Sequence, residues 1–311
     1  MKAALYFLLA VLLFSFGLSA GGEWIGFQDF SSERIIVEMR AMRLAAAFVT
    51  GGALALSGLI FQAILHNPLA EPFTLGLSGG AATGAALAFL TGAVLFNIHA
   101  VSLFAFAGAL IVLAIVLLIA RDSDSLLLSG VIMGTVASGV LMFLISTAQN
   151  TELAGITWWM LGNLQAPVQS ILQGNGILLF AATALCCYFA GDLDALSLGR
   201  AHAWDLGVQE RRLTLFLTVL ASLLAAGTVA LAGIIGFCGL VVPHVMKRLH
   251  GAGHRGLILP TVLAGGAFLM LCDTLCRLDP VREIPVGVIT ALIGGPFFLW
   301  VLNRKGGRHG A

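Results

Sequence analysis

Charge is scarce in this chain. Lys, Arg, Asp and Glu supply only 10% of its 311 residues, where a soluble domain carries roughly 25%. That scarcity leaves no room for a sizeable soluble domain. The net charge is +1 and no long basic run occurs, so nothing marks the chain for nucleic acid. There is no GxxxxGK[ST] loop, so any ATP hydrolysis tied to this chain belongs to another subunit. No nucleophile elbow, cofactor fingerprint or metal-type spacing is present, and no catalytic, cofactor or metal residue is assigned. The five cysteines are odd in number and lie in apolar runs, which reads as buried thiols. Acidic residues inside those runs are few, Asp273 being the main one. Ion-coupled carriers keep ionisable groups near the midplane, so their scarcity argues against ion coupling.

What the chain has is apolar length. Hydrophobic residues make up 59% and the mean hydropathy is +1.01. About 20 apolar residues span a bilayer as a helix, and helices are the only open structures that satisfy their own backbone in lipid. Apolar runs at 3–20, 44–65, 73–95, 98–120, 126–147, 171–190, 213–234, 236–249, 256–276 and 284–302 predict an all-α polytopic membrane protein. It would have about ten transmembrane helices, with 1–311 forming one transmembrane domain. The first run follows Lys2 and precedes Ser19-Ala20-Gly21. It fits a cleaved signal peptide or a first span, and the ten-span topology needs the span. The 38 glycines favour close helix packing.

The stretch 213–246 is long for one span and short for two. Arg211 and Arg212 precede it; Lys247 and Arg248 follow it. If both basic clusters are cytoplasmic, the chain goes out and returns, breaking at Gly233–Gly236, with Pro243 interrupting the return. This topology puts Arg34, Arg40, Arg43, Arg277 and Arg282 outside and the other eleven of the 16 basic residues inside. Both termini are then cytoplasmic in a multi-pass membrane protein. Residues 52–60, GALALSGLI, echo 227–235, GTVALAGII. An inverted duplication and chance similarity both account for that.

Four regions invite function. Residues 66–72, HNPLAEP, join two apolar runs. Two prolines so close cannot lie in a regular helix, so Asn67, Pro68, Glu71 and Pro72 read as a structural linker, a shaped turn at a membrane surface. Arg40, Arg43 and Arg277 run against the inside bias. They fit local pairing, with Asp273 to Arg277 as an i,i+4 pair and Glu38 near Arg40, or a docking surface for an acidic partner. Residues 191–212 form the longest predicted cytoplasmic loop, with apolar Leu196, Leu198, Ala203 and Leu206 punctuated by Gly199 and Gly207. The loop fits an amphipathic segment on the bilayer or a coupling element that enters a groove on a partner. Trp158 and Trp159 fit an interfacial aromatic belt or a helix constricting the mouth.

These pieces carry a resemblance over the whole chain. Gln62 through Gly80 with 67–72, NPLAEP, intact, then Ala232–Phe237 running into Gly239–His244, then Glu283–Gly287 with Gly294–Phe298, follow in order. The chain resembles the FecCD-type permeases, membrane subunits of bacterial ABC importers for iron–siderophore complexes, haem and cobalamin. The resemblance implies a type II ABC importer permease fold that acts as a homodimer around one path. Two ABC ATPase subunits would dock on the cytoplasmic side, a periplasmic or lipid-anchored binding protein would dock outside, and lipid would surround the rest. By position it implies that Arg40, Arg43 and Arg277 meet acidic residues of the binding protein. Leu198-Gly199 and Leu206-Gly207 belong to coupling helices, and Ser123 and Asp124 stand at a cytoplasmic gate. It implies no cofactor and no enzymatic activity in this chain. Cargo would be a ferric siderophore first, then haem or cobalamin; the alternative is a stand-alone secondary transporter of a bulky chelate or vitamin. Two departures stand out: Arg200 where the family is often acidic, and Asp122 and Asp124 flanking the gate position.

Overall fold

The computed structural model describes residues 2–93, 100–199, 206, 208–251, 253–279 and 283–306. Among them are twelve α-helices: α1 Lys2–Ser19, α2 Arg34–Ile64, α3 Leu77–Thr91, α4 Ala100–Ile119, α5 Ser123–Thr147, α6 Asn150–Met160, α7 Gln169–Tyr188, α8 Ala190–Ser197, α9 Glu210–Ala232, α10 Cys238–His250, α11 His254–Cys276 and α12 Val286–Gly306. Six of these, α2, α4, α5, α7, α9 and α11, are long and apolar enough to cross a membrane alone. Ten helices match the ten apolar runs; α6 and α8 are short additions between them.

Contacts sort the helix ends into two sets. At one, the arginine end, α1 finishes, α2 starts and α11 finishes: Arg40 donates to the Leu18 carbonyl and Arg43 pairs with Asp273. At the other, the loop end, the Tyr6 ring of α1 lies 5.4 Å from the His250 ring of α10, and Lys247 donates to Gln62 near the end of α2. Strict alternation between these ends follows along the chain, and α12 starts at the arginine end, where the Gly287 N–H donates to the Leu161 carbonyl at 3.1 Å.

α2 is the axis of the bundle. Every residue from Thr50 to Leu65 is buried, which is what a helix apolar on all sides requires. α9, α10 and α11 enclose it. Close approach depends on absent side chains: a Cβ on Gly58 would collide with the Gly239 carbonyl of α10. By contrast α4, α5 and α7 each leave an apolar face open, with Leu118, Met142, Phe143, Ile177 and Phe180 exposed.

The first echoing segment lies in α2 and the second runs from the last turns of α9 into the break after it; the two helices run in opposite directions and touch where the Ser57 hydroxyl donates to the Ala221 carbonyl at 2.7 Å. Each helix is followed by a non-helical stretch and then a short helix, α3 or α10. The break after α9 falls at 233–237, as the charge argument expects, and Phe237 enters α10 with a left-handed φ of 66°. The linker after α2 departs from expectation. Residues 66–69 form a surface turn, but Ala70, Pro72 and Leu75 are buried. The chain turns back into the bundle, makes a 3-10 turn over Pro72–Leu75, and starts α3 at Leu77 rather than near 73. Gly76, φ 75°, lies against Gly130 and Gly134 of α5. Those residues are seven and eleven positions into α5, about 10–16 Å from its start at 1.5 Å per residue.

Candidate functional site

At the arginine end, charge is turned inward. Arg43 Nε donates to Asp273 Oδ1 at 2.7 Å, and its Nη1 donates to Glu283 Oε2 at 3.0 Å. Arg277 Nε lies 3.2 Å from Asp273 Oδ2, the predicted i,i+4 pair, and its Nη2 donates to the Gly17 carbonyl. Asp273 is fully buried; Arg43 and Arg277 are 8% and 6% exposed. Arg40 caps the end of α1, donating to the carbonyls of Leu18, Ser19 and Glu23. Glu38 pairs with Arg34 instead of Arg40, because i,i+4 places those two on one helix face.

All three arginines nevertheless line one hollow of about 410 Å³, together with Gln165, Asp279 and Glu283. Residues 161–165, which follow α6, tie the hollow to the end of α9 and the start of α12. The Asn163 N–H donates to the Ala232 carbonyl at 2.8 Å, the Gly287 N–H reaches Leu161, and Gln165 Nε2 donates to Glu283. Partial burial raises the Glu283 carboxyl, but Gln165 and Arg43 donating to it hold it below the ordinary value. Trp159 packs into both core clusters, while Trp158 stays about half exposed at the end of α6.

At the loop end, Asp122 caps α5: its Oδ1 accepts the Ser125 N–H at 2.8 Å, and the Ser125 hydroxyl accepts the Asp122 N–H at 2.9 Å. This box fixes the first turn that carries Ser123 and Asp124. Ser123 lines a cavity of about 330 Å³ between the α4–α5 turn and the start of α9, with Arg121, Arg211 and Thr218. Asp124 is exposed.

The loop 191–212 begins with α8. Ala190, Leu193, Ala195 and Leu196 are buried against the bundle, so this apolar side faces protein, not bilayer. Leu196 is therefore not an outward knob. Leu198 and Leu206 are, at 64% and 66% exposed, and Gly199 allows the turn with φ 100°. Ala203, Gly207 and Arg200 lie outside the described residues.

Hydrogen bonds that sequence reasoning missed hold α8. Asp194 Oδ1 accepts both the backbone N–H of His254, at 2.8 Å, and its Nδ1–H, at 2.6 Å, capping α11 from another helix. His66 Nε2 lies 2.7 Å from the Leu196 carbonyl. One signal for such contacts was available: Gln62 is an amide in an otherwise apolar stretch and needs partners. It finds them in the carbonyls of Ala70 and Leu240, at 3.4 and 3.5 Å, and in Lys247 Nζ at 3.1 Å. The linker is set by its own residues: Asn67 Oδ1 accepts the Leu69 N–H, the Glu71 carboxylate accepts the Phe237 N–H, and Pro72 rests on Gly239. Four cysteines are buried as expected; Cys187 is exposed.

The profile of the FecCD transport family matches residues 3–304. The vitamin B12 import system permease protein BtuC of Escherichia coli O17:K52:H18 (strain UMN026 / ExPEC) is 36% identical over 308 residues, covering 96% of this chain and 93% of that protein. BtuC of Salmonella schwarzengrund (strain CVM19633) is 37% identical over 314 residues, covering 98% and 94%. A solved structure described as an inward-facing conformation of a metal-chelate type ABC transporter superposes with a TM-score of 0.89 at 28% identity, covering 97% of this chain and 98% of that one. PsaBC from Streptococcus pneumoniae in complex with Fab gives a TM-score of 0.61 at 18% identity over 88% of this chain, a likeness of fold alone.

Proposed function

This chain belongs to the FecCD transport family and is an ABC importer permease; we propose that it works as a homodimer carrying a bulky metal chelate through a bacterial inner membrane. The hollow at the arginine end receives an acidic side chain of a substrate-binding protein at Arg40, which donates to backbone carbonyls while Arg43 and Arg277 are paired with Asp273 and Glu283. Arg40 is its accessible rim; Arg43 and Arg277 form its base. The opposite end is cytoplasmic, and there two ATPase subunits dock on Leu198, Leu206 and the rest of 191–212. Ser123 and Asp124, on the capped first turn of α5, stand at the inner gate. ATP hydrolysis takes place in the partner, and this chain makes and breaks no bonds.

Cobalamin is the cargo we favour. The observation that carries this is whole-length identity of 36–37% to two permeases named for vitamin B12 import. A ferric siderophore, the first expectation from family membership, is the second reading, supported by the neighbour described as metal-chelate type. Uptake of labelled cyanocobalamin and of a labelled ferric siderophore, measured in vesicles holding this chain with its ATPase and binding protein, separates them. Cobalamin uptake dependent on internal ATP is expected. Uptake driven by an ion gradient with this chain alone would replace the scheme with a secondary carrier.

A further inference from the structure

The linker is the strongest motif in the sequence, and the function above gives it no task. We propose that His66 is a positioning residue that ties α8 to the linker, so that movement of α8 on its ATPase is passed through residues 66–76 to α5 and its gate. The inference rests on the importer reading and on Ser123 as the gate.

The connection is continuous. His66 holds a left-handed backbone, φ 48°, which is uncommon outside glycine and marks a constrained residue. Its Nε2 meets the Leu196 carbonyl at 2.7 Å. A carbonyl only accepts, so Nε2 carries the proton. Leu196 is the penultimate residue of α8, where carbonyls have no partner inside the helix, and it precedes the exposed Leu198 by two positions. Its carbonyl accepts the Gly199 N–H as well, at 3.0 Å. The other side of α8 is held by Asp194 on His254. α8 is therefore hinged on α11 and strapped to the linker.

From His66 inward the chain is stiff. The Asn67 turn, Pro68 and Pro72 restrict its backbone. Pro72 bears on Gly239 of α10, and the segment ends with Gly76 wedged against Gly130 and Gly134 of α5. Packed elements of this kind transmit displacement when one end has two positions. A cap serving α8 alone would affect stability and leave the gate's response untouched.

The test uses the full complex of this chain with its ATPase in lipid nanodiscs. Ser123→Cys, in a Cys187→Ser background, supplies one accessible thiol in each permease chain, since its other cysteines are buried. The labelling rate with a charged maleimide is read with and without a non-hydrolysable ATP analogue, beside ATP hydrolysis and ATPase retention. Nucleotide should change the parent's labelling rate about five-fold or more, the lower edge of ordinary allosteric coupling. His66→Asn tolerates the left-handed backbone but falls short of Leu196. It should reduce the response to below about two-fold, with hydrolysis and retention kept. His66→Gln, whose amide reaches about as far as Nε2, should restore it. A full response in His66→Asn overturns the proposal, and so does loss of response accompanied by loss of the ATPase. A parent with no nucleotide response removes the gate assignment instead, and the proposal with it.

Discussion

The two ends of the bundle use polar and apolar residues in opposite ways. At the arginine end, charges are drawn inward and neutralised, and an arginine–carboxylate cluster ties α2, α11 and the start of α12 together. At the loop end, Leu198 and Leu206 are exposed, while neutral or singly charged hydrogen bonds hold the short helix that ends just before Leu198. One end is built as a staple and the other as a strap. The staple should govern whether the molecule folds, and the strap whether it responds.

The sharpest way to break this contrast is Asp273→Ala. It leaves Arg43 and Arg277 buried without their shared carboxylate. Removing one member of a buried ion cluster costs about 3–5 kcal/mol, so thermal unfolding in detergent should show a large loss. Replacing the buried triad, Arg43→Met with Asp273→Leu and Arg277→Met, and leaving the part-exposed Glu283 to solvent, should recover most of it, since an apolar substitute of similar volume is often neutral. A triple variant as unstable as the single one would mean that charge itself is needed there. For the same reason reversing Arg43 is not a clean probe of docking.

At the other end, Leu198→Glu with Leu206→Glu should leave unfolding within about 0.5 kcal/mol of the parent, because both side chains are exposed. Capture of the soluble ATPase should fall by about ten-fold or more, equivalent to about 1.4 kcal/mol. Unchanged capture would place the coupling surface elsewhere in 191–212.

Much of this contrast was legible in the sequence, and what was missed has a common cause. Apolar period and length located ten helices, and paired basic clusters located the break at 233–237, because both are local signals. The inward turn of 70–76 was not legible: two prolines exclude a helix, but its depth depends on Gly239 and Gly134, far along the chain. Leu196 was misread for a similar reason. On a segment of eight residues, an apolar side chain fits the bundle, the bilayer or a partner equally well, and only tertiary packing decides. For the arginines, Asp273 was visible at i,i+4 from Arg277, whereas Glu283 reaches Arg43, and Gln165 reaches Glu283, only through the fold.

A smaller effect sharpens the division within the arginine end. Among the described residues Arg40 donates only to backbone carbonyls, and it is partly exposed. Arg40→Ala should cost about 1–2 kcal/mol, less than Asp273→Ala, because water can replace part of what is lost. The same variant should weaken binding-protein docking if Arg40 is the rim of the hollow. Docking unchanged in a folded Arg40→Ala protein would remove that role and leave Arg40 as a cap on α1.

The smallest expected effect is a pH dependence at Glu283. Its carboxyl is held below the ordinary value in the folded protein, so the folded state binds its proton less readily than the unfolded chain does. Its contribution is therefore complete above the unfolded carboxylate value, about 4.3, and is lost as pH falls through the lowered folded value. The side chain is 41% exposed, so solvent screening limits the contribution to about 1 kcal/mol or less. Glu283→Gln should unfold slightly more readily than the parent at pH 7, and the gap should close on acidification below about pH 4. A gap that stays constant across that range would mean that Gln165 and Arg43 hold Glu283 by shape rather than by charge.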